Sequence, residues 1–208
     1  MANPPPRLER MINELIPKHP QHGGRQALLM ALILGMLRAD RADHRRPTRV
    51  VSAINEALLR VGEQAGMPIT CSLLYGVVDL PSGVLLYVNA GHPNPMIYNR
   101  VARSVEFLPP TTMVLGVQKG VLPESCHQFR QGDRLIMYTD GITDTHDKDA
   151  RPFGEEGLMA VLDRGGGGTA EELAELMFRA ADDFGAQKAP EDDQTVVVID
   201  FDRIATEE

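Results

Sequence analysis

The chain has 208 residues, 43% of them hydrophobic, with 21 basic and 29 acidic residues for a formal net charge of −8. That length suits one domain with a substantial core, and the acidic balance without a dense basic block argues against a nucleic-acid surface. The longest apolar run, Ala27 to Leu37, covers 11 residues, where spanning a bilayer takes about 20.

The start, Met1-Ala2-Asn3-Pro4-Pro5-Pro6, has neither the basic nor the apolar region of a signal peptide, so a cytoplasmic location is expected. Cys71 and Cys126 lie far apart without metal-ligand spacing and read as small core or strand residues of a reduced protein.

Taken in order, Arg7 to Ile16 reads as a short amphipathic helix with Leu8, Met11, Ile12 and Leu15 on one face. Pro17 and Pro20 end it, and Gln21-His22-Gly23-Gly24 forms a turn. A second helix from Gln26 to Arg38 is apolar nearly all round, which predicts burial. Arg38, Arg41, Arg45, Arg46 and Arg49 cluster after it, but Asp40 and Asp43 interleave, as in a solvated loop. Thr48 is placed to cap a third helix with apolar positions Val51, Ile54, Leu58, Leu59 and Val61.

The pattern then turns to strands. Ile69–Asp79 and Val84–Val88 flank Leu80-Pro81-Ser82-Gly83 as a hairpin. Pro95–Asn99, Ser104–Leu108, Cys126–Arg130, Arg134–Thr139 and Thr195–Phe201 read as further strands. Helices are predicted over Glu155–Leu162 and Thr169–Phe184, the latter opened by a capping box of Thr169 and Glu172. Gly165 to Gly168 has no Gly-Lys-Ser/Thr ending and follows no strand, so a flexible connector is expected there rather than a phosphate loop. Asp202–Glu208 reads as a frayed tail. The sum is an α+β domain with helices packed on mainly antiparallel sheet.

Two segments carry chemistry. Gly132 to Asp144 delivers Asp140 onto a glycine turn at a strand end, and Glu191-Asp192-Asp193-Gln194 places carboxylates at the start of the last strand. Carboxylates gathered at strand ends suit hard divalent cations. Taken alone, Asp140-Gly141 is also a favoured turn dipeptide, and Asp193 serves a turn as readily as a metal. His92 reads as a hydrogen-bonded loop histidine rather than a general acid, and His22 as the residue closing a turn. Met30, Met36, Met137, Met159 and Met177 read as core filler. Asp144, Asp147 and Asp149 around Lys148 read as a solvated charge run. No Ser/His/Asp or Cys/His set is evident.

An ordered series of segments resembles the metal-dependent protein phosphatase family (PPM), in its bacterial SpoIIE/RsbU branch. It comprises Ala27 to Ala31, Leu74 to Asp79, Tyr87-Val88-Asn89-Ala90-Gly91-His92-Pro93 and Leu115-Gly116-Val117. Gly132-Asp133-Arg134, Tyr138-Thr139-Asp140-Gly141, Phe153-Gly154-Glu155-Glu156 and Asp192-Asp193-Gln194-Thr195 complete it. Each motif is weak alone; their order from His22 to Phe201 is what identifies the family.

The resemblance implies a PPM-type β-sandwich flanked by helices (αββα), with residues 1–21 as linker helix and turn, 22–202 as the phosphatase domain and 203–208 as tail. It also implies two Mg²⁺ or Mn²⁺ ions, with Asp140 and Asp192 in metal-ligand positions that make them the catalytic residues, and a metal-activated water attacking a phosphoserine or phosphothreonine. The implied partner is a phosphorylated regulatory protein, such as an anti-sigma-factor antagonist.

The resemblance is N-terminally incomplete. Relatives carry two strands before the first buried helix, with Gly-Gly-Asp-type and Asp-Val-Ser-Gly-His-Gly motifs. Here His22-Gly23 matches only the end of the second, and Lys18 stands where its aspartate would be. Two aspartates neutralise half the charge of two divalent ions, which leaves one hydrated ion as the expectation from charge. A catalytically degenerate phosphatase-fold module that binds a regulatory protein is therefore the alternative reading. A third is a chain whose exposed sheet edge drives homo-oligomer formation.

Overall fold

The computed structural model describes residues 22–39, 45–186 and 192–202. The helix expected at Arg7–Ile16, Lys18, the centre of the arginine-rich loop, Glu191 and the tail from residue 203 lie outside the described residues.

Two helices come first, α1 (His22–Ala39) and α2 (Pro47–Ala65). Six strands follow: β1 (Leu73–Asp79), β2 (Val84–Ala90), β3 (Met96–Asn99), β4 (Ser104–Phe107), β5 (Ser125–Gln128) and β6 (Asp133–Tyr138). A single turn α3 (Asp140–Thr143), helices α4 (Gly154–Gly165) and α5 (Ala170–Phe184), and strand β7 (Val196–Phe201) complete the order. The strands form two antiparallel sheets, β1-β2-β5 and β4-β3-β6-β7.

Period-two alternation builds the layers. Along β2, Leu85 and Tyr87 face the second sheet and pack with Ile97, Leu108, Phe129, Leu135 and Phe201, while Val88 and Ala90 face α1 and α2. Leu32, Ile33, Val51, Ile54 and Leu58 cover that outer side. On the far side, Met96, Tyr98, Ile136 and Tyr138 meet Leu158, Val161 and Leu162 of α4 and Leu173, Met177 and Ala181 of α5. The result is the expected αββα sandwich.

Several local expectations are corrected. The first strand begins at Leu73, because Cys71 makes only an isolated bridge to Leu115. Thr48 does not cap α2; Arg46 holds the N-cap position with Pro47 just inside, where a missing N–H costs nothing, and the Thr48 hydroxyl donates to Glu124 at 2.9 Å. Helix α1 buries Leu32 and Ile33 but leaves Met30 58% and Leu34 42% exposed. Met159 and Cys126 are exposed too, whereas Met177 is core. Asp147 is no free surface charge: it accepts from the Arg151 side chain and from the N–H groups of Asp149 and Arg151, which fixes the turn. No helix among the described residues is long and apolar enough to cross a membrane.

The glycine run is likewise ordered. Arg134, fully buried on β6, donates Nε–H to Asp200 Oδ1 at 2.5 Å and Nη2–H to Oδ2 at 2.8 Å across the β6–β7 pair. Its remaining N–H groups reach the carbonyls of Gly166 (3.1 Å) and Gly168 (2.9 Å). At Gly166 an added Cβ would lie 2.5 Å from the Tyr98 ring, so only glycine lets this loop close down. Immediately after it, Thr169 and Glu172 form the expected capping box.

The Arg134 hydrogen bonds, outweighing partial burial, hold the Asp200 carboxyl below its usual range, with Arg134 and Arg100 charge adding to the effect. The unfolded chain therefore takes up this proton first on acidification. The stabilisation is complete above the ordinary carboxylate range and is lost as pH falls through the depressed folded value. Replacing Arg134 by Met should cost about 3–5 kcal/mol in urea unfolding, since it leaves a half-buried carboxylate with only Arg100 at 3.6 Å and two carbonyls without a donor. For Asp200→Asn, the stability gap to wild type should be widest near neutrality and close on acidification. An equal gap at pH 7 and pH 3 would exclude the charged pair.

Candidate functional site

The β6–β7 ladder continues past its last paired residues into two loops that carry the acids. Thr139 donates its N–H to Thr195 O at 3.1 Å, and its hydroxyl donates to Asp193 O at 3.0 Å while accepting from Thr195 N–H at 2.9 Å. Gln194 reaches back the other way, donating Nε2–H to Gly141 O at 3.0 Å and to Thr145 Oγ1 at 3.2 Å. Gly141 is buried between the loops, where an added Cβ would lie 2.5 Å from Asp193 O and 3.1 Å from Asp192 O. A glycine after Asp140 is thus required by backbone approach.

This stitching brings the Asp140 and Asp192 segments together at one end of the sandwich, both residues exposed. Asp192 Oδ1 also accepts from Asp193 N–H at 2.8 Å, which orders that carboxylate. Asp193 contributes main chain here, as a turn residue. Among the described residues no group of three or more His, Cys, Asp or Glu side chains forms a potential metal cluster. Two carboxylates at an open surface fit one hydrated Mg²⁺ or Mn²⁺, which keeps several waters when bound by one or two acids. They do not by themselves fit a pair of divalent ions.

His92 and Tyr138 are otherwise occupied. His92 Nδ1 lies 3.0 Å from Pro93 O, and the His92 main-chain N–H donates to Asn89 Oδ1 at 2.9 Å, which makes it a turn histidine. The Tyr138 phenol is pushed far above its usual range by burial and, secondarily, by the Glu155 charge, so it stays protonated. The side chain of His22, which begins α1, lies outside the described residues. Sequence reasoning singled out the Thr139 and Gln194 segments but not their function, because a staple between loops depends on cross-strand register.

The two facing antiparallel sheets with a helical layer on each side define the PP2C-type phosphatase fold. It superimposes on the SiaA PP2C domain of Pseudomonas aeruginosa with a TM-score of 0.70 at 17% identity, covering 87% of this chain and 71% of that one. On the RsbU and RsbW domains of Rv1364c from Mycobacterium tuberculosis the TM-score is 0.65 at 20% identity, over 86% of this chain and 49% of the other. The sequence profile of the family described as Stage II sporulation protein E (SpoIIE) matches residues 22–202, and the chain belongs to that family. A curated relative, protein IcfG of Synechocystis sp., is 32% identical over 105 residues, which is 48% of this chain and 16% of IcfG. The chain thus spans a small part of IcfG and about half of the Rv1364c chain.

The loop staple makes its own predictions. Gly141→Ala should destabilise by about 1–3 kcal/mol through overpacking against backbone. Thr139→Val should lose about 1–2 kcal/mol by leaving the Thr195 N–H without its acceptor. Urea unfolding measures both; a neutral Gly141→Ala would mean the loops are not held in contact.

Proposed function

We propose that residues 22–202 form a SpoIIE/RsbU-type serine/threonine phosphatase domain acting in the cytoplasm on a phosphorylated regulatory protein of the anti-sigma-factor-antagonist kind. Asp140 and Asp192 hold a Mg²⁺ or Mn²⁺ ion in this reading. The observation that carries it is the joining of two acid-bearing loops, through Thr139, Gly141 and Gln194, at an exposed sheet end. When bound, such a cation supplies Lewis acidity and a water of lowered pKa. The chain's own contribution is positional. Thr139 and Gln194 hold the two acids at a fixed separation, and their exposure leaves room for a phosphorylated side chain from another protein.

A second reading, a phosphatase-fold module that binds a regulatory protein without turnover, is favoured by the small carboxylate set among the described residues. A surface for association also exists. Val197 and Ile199 share the sheet-facing side of β7 with buried Phe201, yet are 41% and 40% exposed on an edge strand. Such an edge can pair with another chain, including a second copy.

Calorimetric titration of Mn²⁺ and Mg²⁺, paired with hydrolysis of a phosphoserine peptide, separates the two. The enzyme reading expects saturable metal binding weakened at least tenfold in Asp140→Asn and Asp192→Asn, with metal-dependent hydrolysis lost in both. Absent metal binding together with absent hydrolysis overturns it in favour of the module, whereas hydrolysis unchanged in both variants overturns the assignment of Asp140 and Asp192.

A further inference from the structure

At the opposite end of β6 from Asp140, a cavity of about 320 Å³ is lined by Tyr98, Arg100, Arg103, Arg164 and the glycines Gly165 to Gly168. We propose that it is a binding site for a phosphate-class dianion, free or borne on a phosphorylated side chain.

Charge is the first argument. Three guanidiniums line this cavity in a chain of net charge −8, and none of its lining residues is acidic. Arg100 is neutralised by Asp202 and Asp200. Arg103 and Arg164 have no acidic partner among the described residues: one N–H of Arg103 donates to Asp163 O at 2.7 Å, and one of Arg164 to Ala160 O at 3.0 Å. A guanidinium has further donors, in a fork that matches an oxyanion. Glu172, beside Gly168, is already committed to the Thr169 N–H of the capping box.

Geometry is the second. Arg134 fixes the loop from beneath through the carbonyls of Gly166 and Gly168, so this wall is preformed. Arg103 sits in the left-handed region at φ 52°, a conformation that favours glycine and is costly for a long side chain. One of its N–H groups caps a carbonyl at the end of α4, and the rest of this exposed side chain is open to solvent or an anion. The volume exceeds what inorganic phosphate fills and lies at the small end of ligand pockets, as a phosphomonoester requires.

The experiment is titration of inorganic phosphate into the full chain at low salt with chelator present, followed by the amide shifts of Gly165 to Gly168 in NMR spectra. A phosphoserine peptide and its unphosphorylated counterpart are run in parallel. Saturable binding with shifts centred on the glycine loop is expected. Affinity should fall at least tenfold in Arg164→Gln, in Arg103→Gly and in Gly167→Glu. Gly167 opens onto free space, so that glutamate adds charge without a clash. Arg103→Gly relieves the backbone and should keep or raise Tm, which separates lost binding from lost folding. Asp140→Asn should bind phosphate as wild type does. A phosphopeptide binding tenfold tighter than free phosphate identifies a protein-borne phosphoryl group; equal affinity identifies the free anion. No saturable binding, shifts elsewhere, or affinity that survives all three pocket variants overturns the site.

Discussion

The buried Arg134 guanidinium is the constraint on which the rest of the second sheet depends. A charge taken fully out of water is tolerable only when its hydrogen-bonding capacity is met. Here β6 supplies the cation, β7 supplies Asp200, and the loop between α4 and α5 supplies two carbonyls. These three elements have no sequence proximity, and satisfying one side chain fixes all of them relative to one another. A slip of β6 by one residue would move Arg134 to the inter-sheet side, among Ile97, Phe129 and Phe201, where no carboxylate waits. The pair therefore acts as a register lock as much as a source of stability.

That lock has its consequence at the other end of the ladder. From Asp133 opposite Phe201 to Tyr138 opposite Val196 the pairing is continuous, and Thr139 extends it to Thr195. Asp140 then follows directly beyond a fixed frame, and Asp192 lies just before Gln194 and Thr195 on the other side, so the two are not members of independent loops. Gly141 and Gln194 draw those loops tighter than strand pairing alone would. Two like charges brought close are costly in a dry interior but cheap at an exposed edge, where water screens them.

Much of this was legible in the sequence because it was local. Strand and helix spans follow from periodicity, and the Thr169–Glu172 cap from a four-residue spacing. The αββα layering came from the order of motifs that mark the SpoIIE family. What failed was what depends on distant partners. Thr48 carries the right hydroxyl for a cap, but Glu124, far along the chain, claims it. Four consecutive glycines have the composition of a flexible linker, yet Arg134 and Tyr98 give that loop a single shape. The all-round apolarity of α1 predicted burial, yet Met30 and Leu34 stay exposed. At the candidate site the two aspartates were visible as acids at strand ends, whereas Thr139 and Gln194 acquire a function only once β6 lies beside β7.

The same ladder thus ends in acids on one side and unneutralised guanidiniums on the other, a separation of roughly 20 Å for a six-residue strand. At physiological ionic strength charges interact over about 8 Å, so the two ends do not sense each other through solvent. Any coupling between them must pass through the frame, and Arg134 is the element common to both. It sets the glycine wall of the basic cavity directly and the register that carries Asp140 and Asp192 indirectly. A ligand that pulls on Gly166 or Gly168 works against the same hydrogen bonds that hold β7 in place. A stiff clamp therefore makes the ends independent in function, while a clamp that yields would link anion binding at one end to the geometry of the acids at the other.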